Sequence, residues 1–331
     1  MTIPFNRPGL QGRELEYIRD GIVRGKLSGD GHYTGLSNAA VARMAQAQAA
    51  LLTHSATAAL EMAAILLDLG PGDEVIMPSY TFVSTANAVV LRGATPVFVD
   101  VRRDTLNIDP ERVAQAVTPK TRAIFVVHYA GVICDMEAIQ RIADAHDLVV
   151  VEDAAQALLS ERHGRRAGSF GALSAFSFHE TKNIISGEGG ALAIADPRYI
   201  ERAEIIREKG TNRKQFFRGA VDKYTWVDLG SSFLPSELTA AFLYAQLEIA
   251  EELTRARLEA WARYHAALEP LEAAGRVERP ITLPDGESHN AHMYQILLPT
   301  PERRAAFIEA MRGAGIITPF HYVPLHSAPA G

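Results

Sequence analysis

Lys182 sits in the run Ser177-Phe178-His179-Glu180-Thr181-Lys182-Asn183, between an apolar strand-like stretch and the glycines Gly187, Gly189 and Gly190. A lysine at the end of a buried strand, beside glycines that let backbone come close to a ligand, can act as an amine nucleophile toward a carbonyl. Upstream, Leu148-Val149-Val150-Val151-Glu152 runs into Asp153-Ala154-Ala155-Gln156, which puts a carboxylate where a second buried strand stops. An electron-sink cofactor such as pyridoxal phosphate (PLP) needs that pair: an amine for its aldehyde and a carboxylate to keep its ring nitrogen protonated. Each residue also has a plainer reading, because most lysines are solvated and an Asp at this place can simply cap a helix.

Two further stretches suit the same ligand. Thr53-His54-Ser55-Ala56-Thr57 opens a strongly apolar helix, so Ser55, Ala56 and Thr57 lie where unpaired N–H groups and the positive end of the helix dipole favour an anion such as a phosphate. Ser177 can add a hydroxyl to the same anion. Pro78-Ser79-Tyr80-Thr81-Phe82-Val83-Ser84-Thr85 follows another apolar run and offers aromatic rings to cover a planar cofactor. A plain Ser/Thr cap and ordinary core packing are the alternatives for these two stretches.

The elements that must position these residues read as strand and helix in alternation. Apolar, β-branched runs predict strands over 74–77, 95–99, 123–127, 148–151, 173–178 and 191–195. Helices are expected over 57–69 and, opened by Asp109 and Pro110, over 109–117. That order gives an α/β chain with a mostly parallel sheet covered on both faces, whose ligands gather at the carboxyl ends of the strands. A glycine-free stretch over 235–274 predicts one long connecting helix. Beyond it, strands over 292–298 and 316–322 flanking a helix over 301–313 predict a smaller α/β domain. The division expected is therefore a large ligand-binding domain over 1–234 and a connecting helix with small domain over 235–331, the latter either minimal or cut short at Gly331.

Composition narrows the function. The 331 residues are 47% hydrophobic and 22% charged with a net charge of −6, which disfavours a general nucleic-acid binder. The single cysteine, Cys134, excludes an internal disulfide and a multi-cysteine zinc site, and no metal is expected. No apolar run approaches bilayer length and Met1-Thr2-Ile3-Pro4-Phe5 leads into polar sequence, so a soluble cytoplasmic protein away from membranes is expected. No Gly-x-Gly-x-x-Gly follows an early strand, which disfavours a dinucleotide oxidoreductase.

In their order, Ser-x-Thr-Ala at a helix start, Pro-Ser-Tyr-Thr-Phe, Val-Glu-Asp-Ala-Ala-Gln and Ser-Phe-His-Glu-Thr-Lys-Asn resemble the DegT-type nucleotide-sugar aminotransferases, which are fold-type-I PLP enzymes with an aspartate-aminotransferase-like fold. The resemblance runs from Ile3 to the last residues. It implies that Lys182 carries PLP and moves the proton, that Asp153 pairs with the pyridine nitrogen, that Gln156 touches the ring's phenolic oxygen and that Phe82 stacks on the ring. Ser55, Ala56, Thr57 and Ser177 would hold the phosphate. Ser232, in Gly230-Ser231-Ser232-Phe233, stands where many relatives carry an Asn that reaches the partner subunit's phosphate.

Stretches 27–31, 207–213, 215–219 and 221–226 resemble family members that aminate C4 of dTDP-4-dehydro-6-deoxy-D-glucose, with L-glutamate as the implied donor. Lys209, Arg213, Lys214, Arg218 and Lys223 form a basic loop that suits a sugar diphosphate, or else a solvated charged loop. His321 and Tyr322 match a substrate-facing segment. The family implies a homodimer with shared sites, for which 25–33 and 211–226 are the candidate crossing segments. Amination at C3 or on another nucleotide, and a non-catalytic sugar-nucleotide sensor, remain alternatives. A dehydratase of this fold would carry histidine in place of Lys182.

Overall fold

The structure is a computed structural model that describes residues 2–10 and 12–331. In chain order the elements are α1 (Glu14–Val23), α2 (His32–Met44), β1 (Ala49–Thr53), α3 (Ala56–Leu66), β2 (Glu74–Pro78), α4 (Val83–Val90), β3 (Thr95–Val99), α5 (Pro110–Ala116), β4 (Thr121–Val127), α6 (Met136–His146) and β5 (Val149–Asp153). Then come the short strands β6 (Glu161–Arg162) and β7 (Arg165–Arg166), followed by β8 (Leu173–Ser177), β9 (Gly190–Ile194), α7 (Ile200–Arg207), α8 (Arg213–Phe217), α9 (Glu237–Glu248), α10 (Ala250–Ala273), β10 (Glu287–Ser288) and α11 (Pro301–Gly313).

Seven strands form the main sheet in the order β1-β9-β8-β5-β4-β2-β3. Only β9 runs against its neighbours; the pairs among β8, β5, β4, β2 and β3 are parallel. Both faces are covered, and the strand sequences show it. Along β4, Ala123 and Phe125 enter one core cluster while Ile124 and Val126 enter the other, and Val150 and Val151 of β5 divide in the same way. Alternate residues point to opposite faces, so a strand buried on both sides must be apolar throughout. The register Thr53↔Gly190↔Ser177, Ala175↔Asp153 and Asp153↔Val127 brings the ends of β1, β8, β5 and β4 to one edge.

The expected strands of this sheet form within one or two residues of their expected limits. β1 is an addition: Ala-Ala-Leu-Leu-Thr carries no β-branched run, and pairing along the full length of β9 makes it a strand. Two expectations are corrected. The single helix over 235–274 is divided at Ile249, whose φ of −113° and ψ of 14° leave the helical region. Its first half, α9, starts on a Ser236 cap whose hydroxyl accepts from Thr239 N, and its residues Ala240, Ala241, Leu243, Ala245 and Leu247 join the core beside α1 and α2. The strands expected over 292–298 and 316–322 do not form. Leu297 makes an isolated bridge to Glu278 and Ile316 one to Ile3, while residues 290–292 are held by side-chain hydrogen bonds instead of a ladder. Among the described residues, no helix is long and apolar enough to cross a membrane.

Candidate active site

The sheet edge collects most of the residues singled out by their chemistry. α3 begins where β1 ends: Ser55 is its N-cap, and the Ser55 hydroxyl accepts from Ala58 N at 3.1 Å. The N–H groups of Ala56 and Thr57, in the first turn, have no acceptor within the helix. Gly190 lets this turn come close, since a Cβ there would stand 2.3 Å from the Ser55 carbonyl carbon and 2.4 Å from Ala56 N. Thr57 Oγ1 lies 2.7 Å from Ser84 Oγ in the first turn of α4, and Ser177 closes β8 opposite Gly190. The result is a shallow cradle of backbone N–H groups and hydroxyls that suits a phosphate.

Asp153 ends β5, and its buried carboxylate accepts from Thr85 Oγ1 at 2.7 Å and from Ala155 N at 3.2 Å. Burial pushes its pKa up, against the Thr85 hydrogen bond, the Ala155 N–H and the charge of Lys182. Lys182 hangs from the turn between β8 and β9, part-buried, its backbone N donating to His179 O at 2.9 Å. Burial lowers the pKa of its amine, and the Asp153 charge opposes that shift. The two groups therefore feel each other in a poorly solvated place, where an amine gives up its proton more readily than in water.

Gln156 is buried, with Oε1 accepting from Ala130 N at 2.7 Å and Nε2 donating to the Tyr322 hydroxyl at 3.2 Å. Tyr322 belongs to a segment folded over the strand ends. His321 stacks on it at 4.4 Å, and Tyr80 and Tyr129 meet its ring edge-on at 5.5 and 6.3 Å. The Tyr80 and Tyr129 hydroxyls are 3.3 Å apart, and Tyr80 also donates to the His321 carbonyl. Burial raises the Tyr322 phenol to about 12, helped by the Asp153 charge. Burial and the charge of Lys182 lower the pKa of His321. His321 and Tyr322 are thus brought to the same edge as Asp153, Gln156 and Lys182. The segment is anchored by Leu325 N donating to Ser79 O at 2.8 Å and by the 2.6 Å contact of Ser79 Oγ with His326 Nδ1.

The remaining expected residues lie differently. Phe82 is the N-cap of α4 and is 58% exposed. Ser232 is exposed and bridges to Glu208, next to Phe233, whose carbonyl accepts from His54 N at 3.0 Å. Four cations of the basic loop are paired with α7 and its end: Lys209 and Arg213 lie 3.4 and 3.5 Å from Glu208, and Lys214 and Arg218 lie 3.1 and 2.8 Å from Glu204. Sequence reasoning missed Tyr129 and Asn290, and quoted Ser84 and Thr85 without giving either a role. Thr85 and Ser84 carry a local signal, since both fall in the first turn of a helix that starts at a strand end. Asn290 carries none.

This donor set fits PLP: a cradle for the phosphate, a buried carboxylate for the ring nitrogen and an amine with a lowered pKa for the aldehyde. The chain resembles several solved structures over its full length. TlmJ, an aminotransferase from Streptoalloteichus hindustanus, is 31% identical with a TM-score of 0.92, covering 100% of this chain and 88% of that one. DesV from S. venezuelae is 33% identical with a TM-score of 0.90, covering 99% and 86%. Spr1654 from Streptococcus pneumoniae in its PLP form is 27% identical with a TM-score of 0.90, covering 100% and 87%. The fold is aspartate-aminotransferase-like. Residues 9–330 match the family described as DegT/DnrJ/EryC1/StrS aminotransferases, and the chain belongs to that family.

Proposed function

We propose that the protein is a PLP-dependent aminotransferase that moves an amino group from L-glutamate to C4 of dTDP-4-dehydro-6-deoxy-D-glucose. The product would be dTDP-4-amino-4,6-dideoxy-D-galactose, a precursor of cell-surface polysaccharide of the enterobacterial common antigen type. The observation that carries the transaminase reading is the placement of Asp153 at the end of β5 and of Lys182 on the turn leaving β8, on one sheet edge beside the α3 N-terminus that Gly190 admits. The choice of acceptor rests on the resemblance of 27–31, 207–213, 215–219 and 221–226 to enzymes with that substrate.

Bound PLP would supply the electron sink that makes the donor's amine-bearing carbon acidic and would carry the amino group from L-glutamate, which leaves as 2-oxoglutarate, to the sugar's C4 carbonyl, whose oxygen leaves as water. The chain's own residues do the rest. Lys182 Nζ takes the proton from the donor's amine-bearing carbon, and a pKa lowered by burial leaves Nζ free to accept it. In the second half-reaction the same Nζ returns a proton to C4 of the sugar. Asp153 holds its charge toward the ring nitrogen with Thr85 fixing its orientation, and Gln156 is steadied by Ala130 N and Tyr322. Ser55, Ala56, Thr57 and Ser177 bind the phosphate and Phe82 covers the ring.

Lys209, Arg213 and Arg218 grip the sugar's diphosphate, for which they must exchange Glu204 and Glu208 as partners. His321 and Tyr322 face the sugar. Two copies share their sites, with Ser232 reaching the partner's phosphate. Borohydride reduction of the PLP-loaded protein followed by peptide mapping tests the core of this reading, because the label should fall on Lys182. NMR and mass analysis of the sugar product made from L-glutamate test its finer part. Label elsewhere overturns the transaminase reading, and an amino group at C3 overturns the choice of substrate.

A further inference from the structure

We propose that Asn290 is a positioning residue that sets the Lys182 turn and the Gln156 loop in register. This inference rests on the reading that Lys182 and Gln156 hold PLP. Asn290 is 1% exposed, and each polar group of its amide is used. Its Nδ2 donates to the carbonyls of Gln156 and Leu158, both at 2.9 Å, and its Oδ1 accepts from His292 N at 3.1 Å. Its own carbonyl accepts from Asn183 Nδ2 at 2.7 Å, one residue beyond Lys182.

The second amide completes the arrangement. Because Asn183 Nδ2 is committed to the Asn290 carbonyl, Asn183 Oδ1 must be the acceptor in its 3.1 Å contact with His292 Nδ1, so that nitrogen carries the proton. Gly131 makes room for the hub. Its φ is +85°, and a Cβ there would stand 2.1 Å from Asn290 Oδ1. Segments distant in sequence therefore meet on one buried residue: Gly131 and the 156–158 carbonyls lie against its side-chain amide, and Asn183 is held by its backbone carbonyl. Fully satisfied buried networks of this kind fix geometry, and a partly satisfied one releases it. Neither Asn290 nor Asn183 touches the reacting atoms in this scheme, so both act through their neighbours.

Asn290→Asp keeps the shape while turning a donor toward two carbonyls into an acceptor. Asn183→Ala removes the outer clamp at a part-buried position and leaves the hub amide satisfied. Each full-length variant is loaded with PLP, and three quantities are compared with the parent. These are the pH midpoint of the visible absorbance, the rate of the half-reaction with L-glutamate, and the KM for L-glutamate. The expected result in both variants is a displaced pH midpoint and a half-reaction about tenfold slower, with KM changed by less than about threefold, as misplacement of a bound reactant predicts.

Should Asn290→Asp fail to fold, Asn183→Ala decides alone. An Asn183→Ala protein with the parent's pH midpoint and half-reaction rate overturns the inference, whatever happens to thermal stability. A parent protein that takes up no PLP at Lys182 overturns the underlying reading and this inference with it. A normal parent with indifferent variants overturns this inference only.

Discussion

Glu152 and Asp153 are adjacent carboxylates on one buried strand, and their surroundings give them opposite tasks. Glu152 turns away from the sheet edge and meets five donors: His128 Nε2 at 2.8 Å, the N–H groups of Gly168, Phe170 and Gly171, and the Ser174 hydroxyl. Burial works against its charge, yet the His128 partner and the Gly168 and Gly171 N–H groups hold its carboxyl below the usual glutamate range. Asp153 turns toward the edge, meets, among the described residues, only Thr85 and Ala155 N, and has its pKa raised by burial. A carboxylate with every lone pair engaged fastens its surroundings. One with few donors and a lysine nearby keeps interaction energy available for a ligand. The tautomer of His128 agrees with the fastening role: Nδ1 accepts from Cys134 N at 3.2 Å, so the imidazole gives its one N–H to Glu152.

The contrast can be broken most severely at the amine that faces Asp153. Lys182→Arg should lower turnover by about 10⁴-fold, the upper range for loss of a proton-transfer group, with far-UV circular dichroism unchanged. A variant retaining full amino-group exchange would remove the catalytic half of the comparison. Exchanging the charge on each neighbour in turn should then separate activity from stability. Glu152→Gln should cost about 1–3 kcal/mol in urea denaturation, the range for leaving buried donors of a hydrogen-bonded network unsatisfied. Asp153→Asn should cost turnover about 10²-fold or more and leave the denaturation midpoint close to the parent's. Equal stability losses in the two variants would contradict the division of labour.

Removing one hydroxyl from each side sharpens the comparison. Ser174→Ala takes one donor from Glu152 and should lower stability by about 1 kcal/mol, with the L-glutamate half-reaction unaffected. Thr85→Val takes one donor from Asp153 and should slow that half-reaction about fivefold, the equivalent of about 1 kcal/mol. The smallest effect expected is on pH dependence. Covalent capture of PLP needs the uncharged Lys182 amine, so its rate should rise with pH through the lowered pKa of that amine and level off before the range of a free lysine. The Asp153 charge raises the Lys182 pKa, so Asp153→Asn should move the plateau to lower pH. Stopped-flow absorbance reads both. For Glu152 the sign is the reverse of a raised carboxyl: its folded pKa is depressed, so its contribution is intact at neutral pH and disappears as the pH falls below the ordinary glutamate range.

Chain pattern revealed the sheet because both its faces are covered: Val149 to Val151 and Ile124 to Val127 read as strands from composition alone. It also marked out Lys182, Asp153 and Ser55 as candidates, since each sits at the end of an apolar run or the start of an apolar helix. It failed where the deciding contact is distant. Nothing near Asn290 announces that its amide meets carbonyls more than 130 residues away. Ile296-Leu297-Leu298 looks like a strand, yet only Leu297 finds a backbone partner there, the isolated bridge to Glu278. The basic loop shows the same limit in charge: its lysines and arginines are visible in the sequence, but Glu204 and Glu208, which offset them, lie on or just after α7.

The reversed direction of β9 has a mechanical consequence. A parallel neighbour would have required the chain to leave the edge and return through a crossover helix, whereas the segment bearing Lys182 departs from Ser177 and comes back at Gly190 on the same rim. It is closed at its base by Phe178 N donating to Gly189 O at 2.8 Å. Lys182 thus rides on a loop tied at two adjoining points of the rim, and no crossover helix is needed to place it.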